Sequence, residues 1–188
     1  MGADKGVHVS DDAIAGSDYL GTSLVLAKAI EKIGSEQKVD LVVFGMASTD
    51  ASGGVVPAMV AERLGLPQVT LASVIESQGD QVRIKRDGDT ATEVIGATLP
   101  IVLSVTDQSG EARYPSFKGI MAAKKKPVES YSLSDLGVEA SEVGAEAAYS
   151  AVEEATARPP RTAGEIVTDE DGSGATALAE FLASKKFI

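Results

Sequence analysis

An α/β fold is expected: a parallel sheet carrying an antiparallel hairpin, followed by an extended C-terminal arm. Three features point to it. Val39-Asp40-Leu41-Val42-Val43-Phe44 is a near-continuous apolar run, the pattern of a parallel strand covered on both faces. A small-residue loop and then a helical pattern follow it, up to Leu64. Gln81-Val82-Arg83-Ile84-Lys85-Arg86 then alternates polar with apolar residues, as a half-exposed antiparallel strand does.

Taken in order, Gly6-Val7-His8-Val9 reads as a short strand ending at Ser10-Asp11-Asp12. His8 sits between two valines and is taken as a strand position whose ring is satisfied, not as a ligand. Ser17 or Asp18 can cap a helix running to about Ile33, because a short polar oxygen accepts from the free first-turn amides. Tyr19, Leu26, Ala29, Ile30 and Ile33 share one side of it, widened by Leu20, Leu24 and Ala27. Gly34 suits the position after its end. A second helix is expected from about Val55 to Leu64, with Pro57 in the first turn and an inner stripe of Val56, Met59, Val60 and Leu64. Gly65 ends it. Gln68 to Glu76 reads as a strand, Gln78-Gly79-Asp80 as a turn, and Asp87-Gly88-Asp89 as the next turn. Thr92-Glu93-Val94-Ile95 returns, and Leu99 to Val105 is core-like again.

Beyond Thr106 the chain loosens. Residues 110–127 hold Arg113, Lys118, Lys124, Lys125 and Lys126 against Glu111 alone, whereas residues 128–188 hold twelve acids and four bases. That later stretch is rich in Ala, Ser, Gly and Glu, with Pro159-Pro160 and a helix expected near Ala175–Ala183. Such a composition suits an arm that folds against another surface. Residues 1–127 are therefore expected as one α/β domain and residues 128–188 as the arm.

The inventory of side chains excludes whole classes of chemistry. The net charge of -11 argues against nucleic acid, whose binding is driven by releasing counterions to Lys and Arg. With no cysteine and a single histidine, disulfides, thiolate zinc sites, Cys nucleophiles and multi-His metal sites have no material. No catalytic residue and no metal ligand set is expected. Asp11-Asp12, Glu153-Glu154 and Asp169-Glu170-Asp171 are acidic pairs and runs in turn-like or acidic contexts, read as solvated surface. There is no apolar run near the ~20 residues of a membrane span, and Met1 to Ser10 lacks a signal-peptide pattern; a cytoplasmic protein is expected.

Two segments can bind something. Gly45, Met46, Ala47, Ser48, Thr49, Asp50, Ala51, Ser52, Gly53, Gly54, Val55 and Val56 form the strand-to-helix loop. In open α/β sheets ligands sit beyond the carboxyl ends of strands, and a helix N-terminus offers free N–H groups to an anion. The loop is neither a P-loop nor a dinucleotide fingerprint, so a phosphate or nucleotide site and an ordinary Gly-rich turn both remain open. The segment from Arg113 to Lys126 sets Phe117, Ile120 and Met121 on one helical side beside Lys118, Lys124 and Lys125. It reads either as a solvated lysine-rich helix end or as a docking patch with an apolar anchor.

Several stretches, in order along the chain, resemble electron-transfer flavoprotein beta subunits. They are Leu66-Pro67-Gln68-Val69-Thr70-Leu71-Ala72-Ser73, Leu99-Pro100-Ile101-Val102-Leu103-Ser104-Val105-Thr106, Arg113-Tyr114-Pro115-Ser116-Phe117-Lys118-Gly119-Ile120-Met121-Ala122-Ala123-Lys124-Lys125-Lys126-Pro127, and Arg161-Thr162-Ala163-Gly164. Met1-Gly2-Ala3-Asp4-Lys5 resembles an internal stretch of such subunits, so the chain is expected to lack their first strand–helix units and to leave one sheet edge unpaired. The resemblance implies a Rossmann-like fold of the adenine nucleotide alpha hydrolase type. It implies a non-catalytic chain that pairs with an alpha subunit, which holds the redox FAD, and that itself binds AMP structurally through the loop Gly45–Val56. Electrons would come from acyl-CoA or related dehydrogenases and pass to a membrane or ferredoxin-linked acceptor, as in fatty acid oxidation.

Residue by residue, the resemblance makes Phe117 the anchor of a dehydrogenase-docking patch with Arg113, Lys118, Ile120, Met121, Lys124 and Lys125. It places Asp87 at a flavin-side contact with the alpha subunit, where many members carry Glu. Many members also have Asp, Asn, Gln and Thr where this chain has Ala51, Gly54, Val55 and Val56. The alternative is a stand-alone adenine-nucleotide-binding module of the universal-stress type, which would homodimerise and would not need the acidic arm.

Overall fold

A computed structural model describes residues 1–161, 163, 164, 166–169 and 172–188. Thr162 of the Arg161–Gly164 stretch and Glu170 and Asp171 of the acidic run lie outside the described residues. The chain divides into two compact units, Met1–Ala151 and Val152–Ile188.

In the first unit the strands are β1 (Gly6–Val9), β2 (Leu41–Phe44), β3 (Gln68–Ala72), β4 (Val74–Gln78), β5 (Gln81–Asp87), β6 (Thr92–Thr98), β7 (Ile101–Val105) and β8 (Val128–Tyr131). The helices are α1 (Tyr19–Glu36), α2 (Val56–Leu64), α3 (Phe117–Ala123), α4 (Leu133–Leu136) and α5 (Gly144–Ala147). β7 lies between β2 and β3, both parallel to it, and β1 pairs with β8, also in parallel. The antiparallel sheet β4-β5-β6 is the expected hairpin insertion.

β7 is the most buried element. Ile101, Val102, Leu103 and Ser104 are each at most 2% exposed, as befits a strand flanked on both edges. Burying such branched side chains contributes about 1.5–3 kcal/mol each. On one side Ile101 and Leu103 pack with Val69, Ala72, Val82 and Ile84, so the hairpin shares a core with the parallel strands.

The stretch Gln68–Glu76, expected as one strand, is two. Between Val69 and Ala72 the register with β7 slips, and Leu71 takes φ 61, a backbone costing a branched residue about 1–2 kcal/mol. The buried Ser104 hydroxyl accepts the Leu71 amide at 2.9 Å, satisfying the donor that the bulge removes from the ladder. Ser73 N–H then donates to the Lys85 carbonyl at 2.8 Å, and the chain leaves the parallel sheet for the antiparallel one.

β2 departs from expectation in a second way. It was read as covered on both faces, yet Leu41 is 40% and Val43 55% exposed. Leu41 and Val43 share one face of the strand, so that face is largely uncovered; its outer edge also has no strand partner among the described residues, the unpaired edge that the resemblance implies.

α1 begins where the sequence places it. Asp18 caps it, accepting from Leu20 N at 2.9 Å and Gly21 N at 3.1 Å. It runs on to Glu36, so Gly34 lies inside the helix and not beyond its end. Of the expected inner face Ala27 and Ala29 are buried, but the other buried positions are Gly21, Ser23 and Val25, not the larger residues expected, and Leu20 is exposed. Small residues let neighbouring elements approach closely, and α2 is tied directly to this helix: Arg63 Nε donates to Ser23 Oγ at 2.9 Å. α2 ends at Gly65, whose φ of 64 is the left-handed cap that glycine adopts without steric cost.

Residues 128–151, expected as the start of the arm, belong to the first unit. Val128–Tyr131 finds a parallel partner in β1, and Tyr131, Leu133, Leu136, Val138 and Val143 make a second core with Val25 and Ala29 of α1. Local composition in this stretch is acidic and small, but its apolar positions are spaced to cover α1. In the second unit, α6 (Gly174–Ser184) matches the helix expected near Ala175–Ala183, and Leu178, Phe181, Phe187 and Ile188 are exposed on it and after it.

The second carboxylate oxygen of Asp18 accepts from Tyr149 N at 2.8 Å. One side chain thus caps α1 and fastens the last residues of the first unit. The amides of Tyr149, Gly21 and Leu20 hold its carboxyl below the usual carboxylate range. A depressed folded value means that this contribution is complete above the ordinary value and is lost as pH falls through the folded one. Asp18→Ala is expected to lower the thermal midpoint at pH 7, and the gap to wild type should narrow as melts are repeated in acid; a gap independent of pH would contradict this assignment.

Candidate functional site

At the carboxyl end of β2 the chain enters the loop of residues 45–55 and then α2. The loop, the start of α2 and the side of α1 enclose a cleft of ≈ 280 Å³. Gly45, Met46, Ala47, Ser48, Gly53, Gly54 and Val56 line it, seven of the twelve positions expected from sequence. Thr49, Asp50, Ala51, Ser52 and Val55 are not among the lining residues. Sequence reasoning missed Phe44, Pro57 and the wall given by α1, namely Tyr19, Thr22 and Leu26. Tyr19 and Leu26 had been assigned to the inner stripe of their helix. The period of a helix tells which residues share a side, but not that this side faces a loop more than twenty positions later.

The loop is shaped by its own short bonds. Ser52 N donates to the Ser48 carbonyl at 3.0 Å. Asp50 accepts from the Ser48 hydroxyl and, at 2.8 Å, from Ala51 N. Those two donors, the Ser48 hydroxyl first, hold the Asp50 carboxyl below its usual range. The charge is thereby absorbed within the turn, away from the lining.

Val55 is the N-cap of α2 and makes no side-chain cap, and Pro57 stands in the helix's first turn. A nine-residue helix whose first amides carry no capping oxygen presents a positive end. With the backbone of Gly53 and Gly54 beside it, this cleft can take a phosphate-bearing ligand. No charged side chain lines it, so an anion here would be held by backbone amides and the helix end. The apolar part of the lining, Leu26, Phe44 and Met46 with the Tyr19 ring, suits a flat base better than a bare ion.

The second expected site is a separate surface. α3 begins at Ser116, whose hydroxyl accepts from Gly119 N at 3.1 Å. Phe117 is 79% exposed, and Ile120 and Met121 are also exposed. Arg113, Lys118, Lys124 and Lys125 are exposed around them, while Lys126 pairs with Asp4 at 3.0 Å. A larger cleft of ≈ 570 Å³ lies between α3 and Met1–Gly6. α3 spans seven residues and its start is already capped, so this cleft lacks the free helix end of the first. Asp87 sits at the end of β5, exposed, where Thr92 Oγ1 donates to it at 2.7 Å. The hydroxyls of Ser73 and Thr92, with Lys85 nearby, lower its pKa, so it presents a fixed negative charge at the hairpin's edge.

The sequence profile of the Electron transfer flavoprotein domain matches residues 1–136. Chains named Electron transfer flavoprotein subunit beta are similar along the whole length. Those of Mycobacterium bovis and Mycobacterium leprae are 46% identical over 188 residues, which is 100% of this chain and 69% of each relative. That of Bos taurus is 36% identical over 172 residues, 91% of this chain and 64% of the relative.

Because Phe117 contributes exposed surface and no core packing, Phe117→Ala should leave the melting transition within the range of ordinary surface changes, about 0.5 kcal/mol. Chemical denaturation checks this, and a loss several times larger would mean that α3 is packed and not free for docking.

Proposed function

The chain belongs to the electron transfer flavoprotein domain family, as a beta-subunit-type member, and on that premise we propose that it is the non-catalytic half of a two-subunit electron carrier. The observation that carries this reading is similarity extending over all 188 residues to chains named Electron transfer flavoprotein subunit beta. In this reading an alpha subunit holds the FAD, and the flavin does the redox chemistry while the protein orients and tunes it. The present chain binds AMP structurally in the cleft between the 45–56 loop and α1. Electrons arrive from acyl-CoA or related dehydrogenases and leave to a membrane or ferredoxin-linked acceptor. The complex works in the cytoplasm, and no helix among the described residues is long and apolar enough to cross a membrane.

Each part has physical support. The uncapped α2 and the uncharged, partly apolar cleft suit an adenine nucleotide's phosphate and base. Phe117 with Ile120 and Met121, ringed by Arg113, Lys118, Lys124 and Lys125, has the make-up of an apolar anchor within a charged rim. A dehydrogenase with an apolar pocket among acidic residues is its complement. Asp87, a fixed charge at the end of β5, faces the alpha subunit. The second unit has acidic residues and exposed Leu178, Phe181, Phe187 and Ile188, and packs on that same subunit.

Co-expression with an alpha subunit of the same family tests the proposal. The expected product is a yellow heterodimer that releases AMP when denatured, and whose flavin is reduced by an acyl-CoA dehydrogenase and its substrate. A soluble, colourless, self-associating protein that retains adenine nucleotide would overturn it in favour of a stand-alone nucleotide-binding module. Within the heterodimer, Val55→Asp places a carboxylate at the open end of α2 and is expected to weaken AMP binding about tenfold. Val55→Ala, which adds neither a charge nor a capping oxygen, should bind as wild type does; calorimetric titration with AMP distinguishes the two.

A further inference from the structure

We infer that Tyr19 is a positioning residue for the 45–56 loop, seating it against α1 through Ala51 and Gly53. For its effect on AMP this rests on the nucleotide reading above; for its effect on the loop it does not.

Tyr19 is the first residue of α1, directly after the Asp18 cap. Its backbone is therefore fixed at a helix end that Asp18 ties both to α1 and to Tyr149. From there the phenol reaches the loop. Its Oη donates to the Ala51 carbonyl at 3.2 Å, the one hydrogen bond to residues 48–54 from another element among the described residues. The ring also lies on Gly53. A Cβ added to Gly53 would fall 2.2 Å from the ring's Cζ and from Oη, far inside van der Waals contact.

Gly53 has no positive φ, so its backbone would accept any residue and only the ring forbids a side chain. Both Tyr19 and Gly53 line the cleft. The turn itself contains Ser52 at φ 52, a left-handed position that a non-glycine residue keeps only when its surroundings hold it there. The ring thus sets the distance from α1 to the loop and with it the width of the cleft. This assigns to an aromatic at the N-terminus of α1 a task that sequence periodicity had given to the core.

The dependence is mutual, so a double-mutant cycle reads it. The full chain, co-expressed with its alpha-type partner, is prepared as wild type, Y19F, Y19A, G53A and Y19A/G53A. Amide hydrogen exchange is followed with nucleotide removed, and AMP affinity is measured separately. Y19A is expected to speed exchange of residues 48–54 about tenfold while residues 25–29 inside α1 stay as in wild type. Y19F keeps the ring and loses one exposed hydrogen bond, and should change the loop less than about threefold. G53A should release the loop in the wild-type background, because the methyl and the ring cannot share one place. In the Y19A background it should add less than about twofold.

A G53A effect equal in both backgrounds would overturn the inference, as would a loop unchanged in Y19A. If Y19A loses protection throughout α1, the comparison of G53A with wild type and Y19F decides alone, and an unchanged loop in G53A overturns the inference. AMP affinity separates the two ideas. No AMP binding by any of the proteins, with the exchange cycle as expected, removes the nucleotide reading and leaves the positioning role. Equal AMP binding by all, with no change in the loop, does the reverse.

Discussion

The burial of β7 is the constraint on which the rest of the first unit depends. Four consecutive residues, Ile101 to Ser104, have essentially no contact with water. A strand so placed must be flanked on both edges, and β2 and β3 flank it in parallel. Parallel neighbours require crossovers, and the crossover after β2 is the loop and α2. The loop that forms the cleft is therefore not an appendage; it leaves β2, whose register with β7 is fixed in the core, and enters α2. The single polar side chain in that buried run, Ser104, accepts the Leu71 amide and so makes the bulge possible that turns the chain into the hairpin.

A second constraint gathers at the start of α1. Asp18 serves three amides at once, two of its own helix and one from Tyr149. The next residue carries the ring that meets the loop. The end of the unit, the helix start and one wall of the cleft are thus mechanically joined through two adjacent side chains. A carboxylate is suited to this because its two oxygens can accept several N–H groups in different directions. An amide or hydroxyl in its place would leave one of them unserved.

Much of this was legible in the sequence because the governing signals are local. The apolar run Val39–Phe44, the cap at Asp18, the glycine at 65 and the alternation from Gln81 each follow from one residue's conformational or burial preference. What escaped depends on partners distant along the chain. Gln68–Glu76 looks like one strand because no Gly or Pro interrupts it and Val69, Thr70, Val74 and Ile75 favour extension; its break comes from Ser104 and Lys85, which lie elsewhere. Val128–Tyr131 and the apolar residues after it looked like an arm because their composition is acidic and small, yet β1 and α1 supply the surface they need. The uncovered face of β2 was likewise hidden, since an apolar run predicts cover without showing whether a covering element is present. Of the residues lining the cleft, those contributed by consecutive positions of the loop are among the ones named from sequence, and the wall contributed by Tyr19, Thr22 and Leu26 is not.

The two candidate sites rest on different physics, and this separates how each can change. The cleft has no charged lining. Whatever it holds is held by backbone amides and a helix end, short-ranged and dependent on angle, so its performance is governed by how well the loop is placed. A shift of a fraction of an ångström at Gly53 matters there, and a distant change that moves α1 would be felt. The α3 surface is built from exposed side chains and long-ranged charge, whose attraction weakens with salt and tolerates small displacements. Its residues can therefore vary without disturbing the fold, whereas the loop cannot vary without its wall. The cleft is bound to the core, and the α3 surface is free of it.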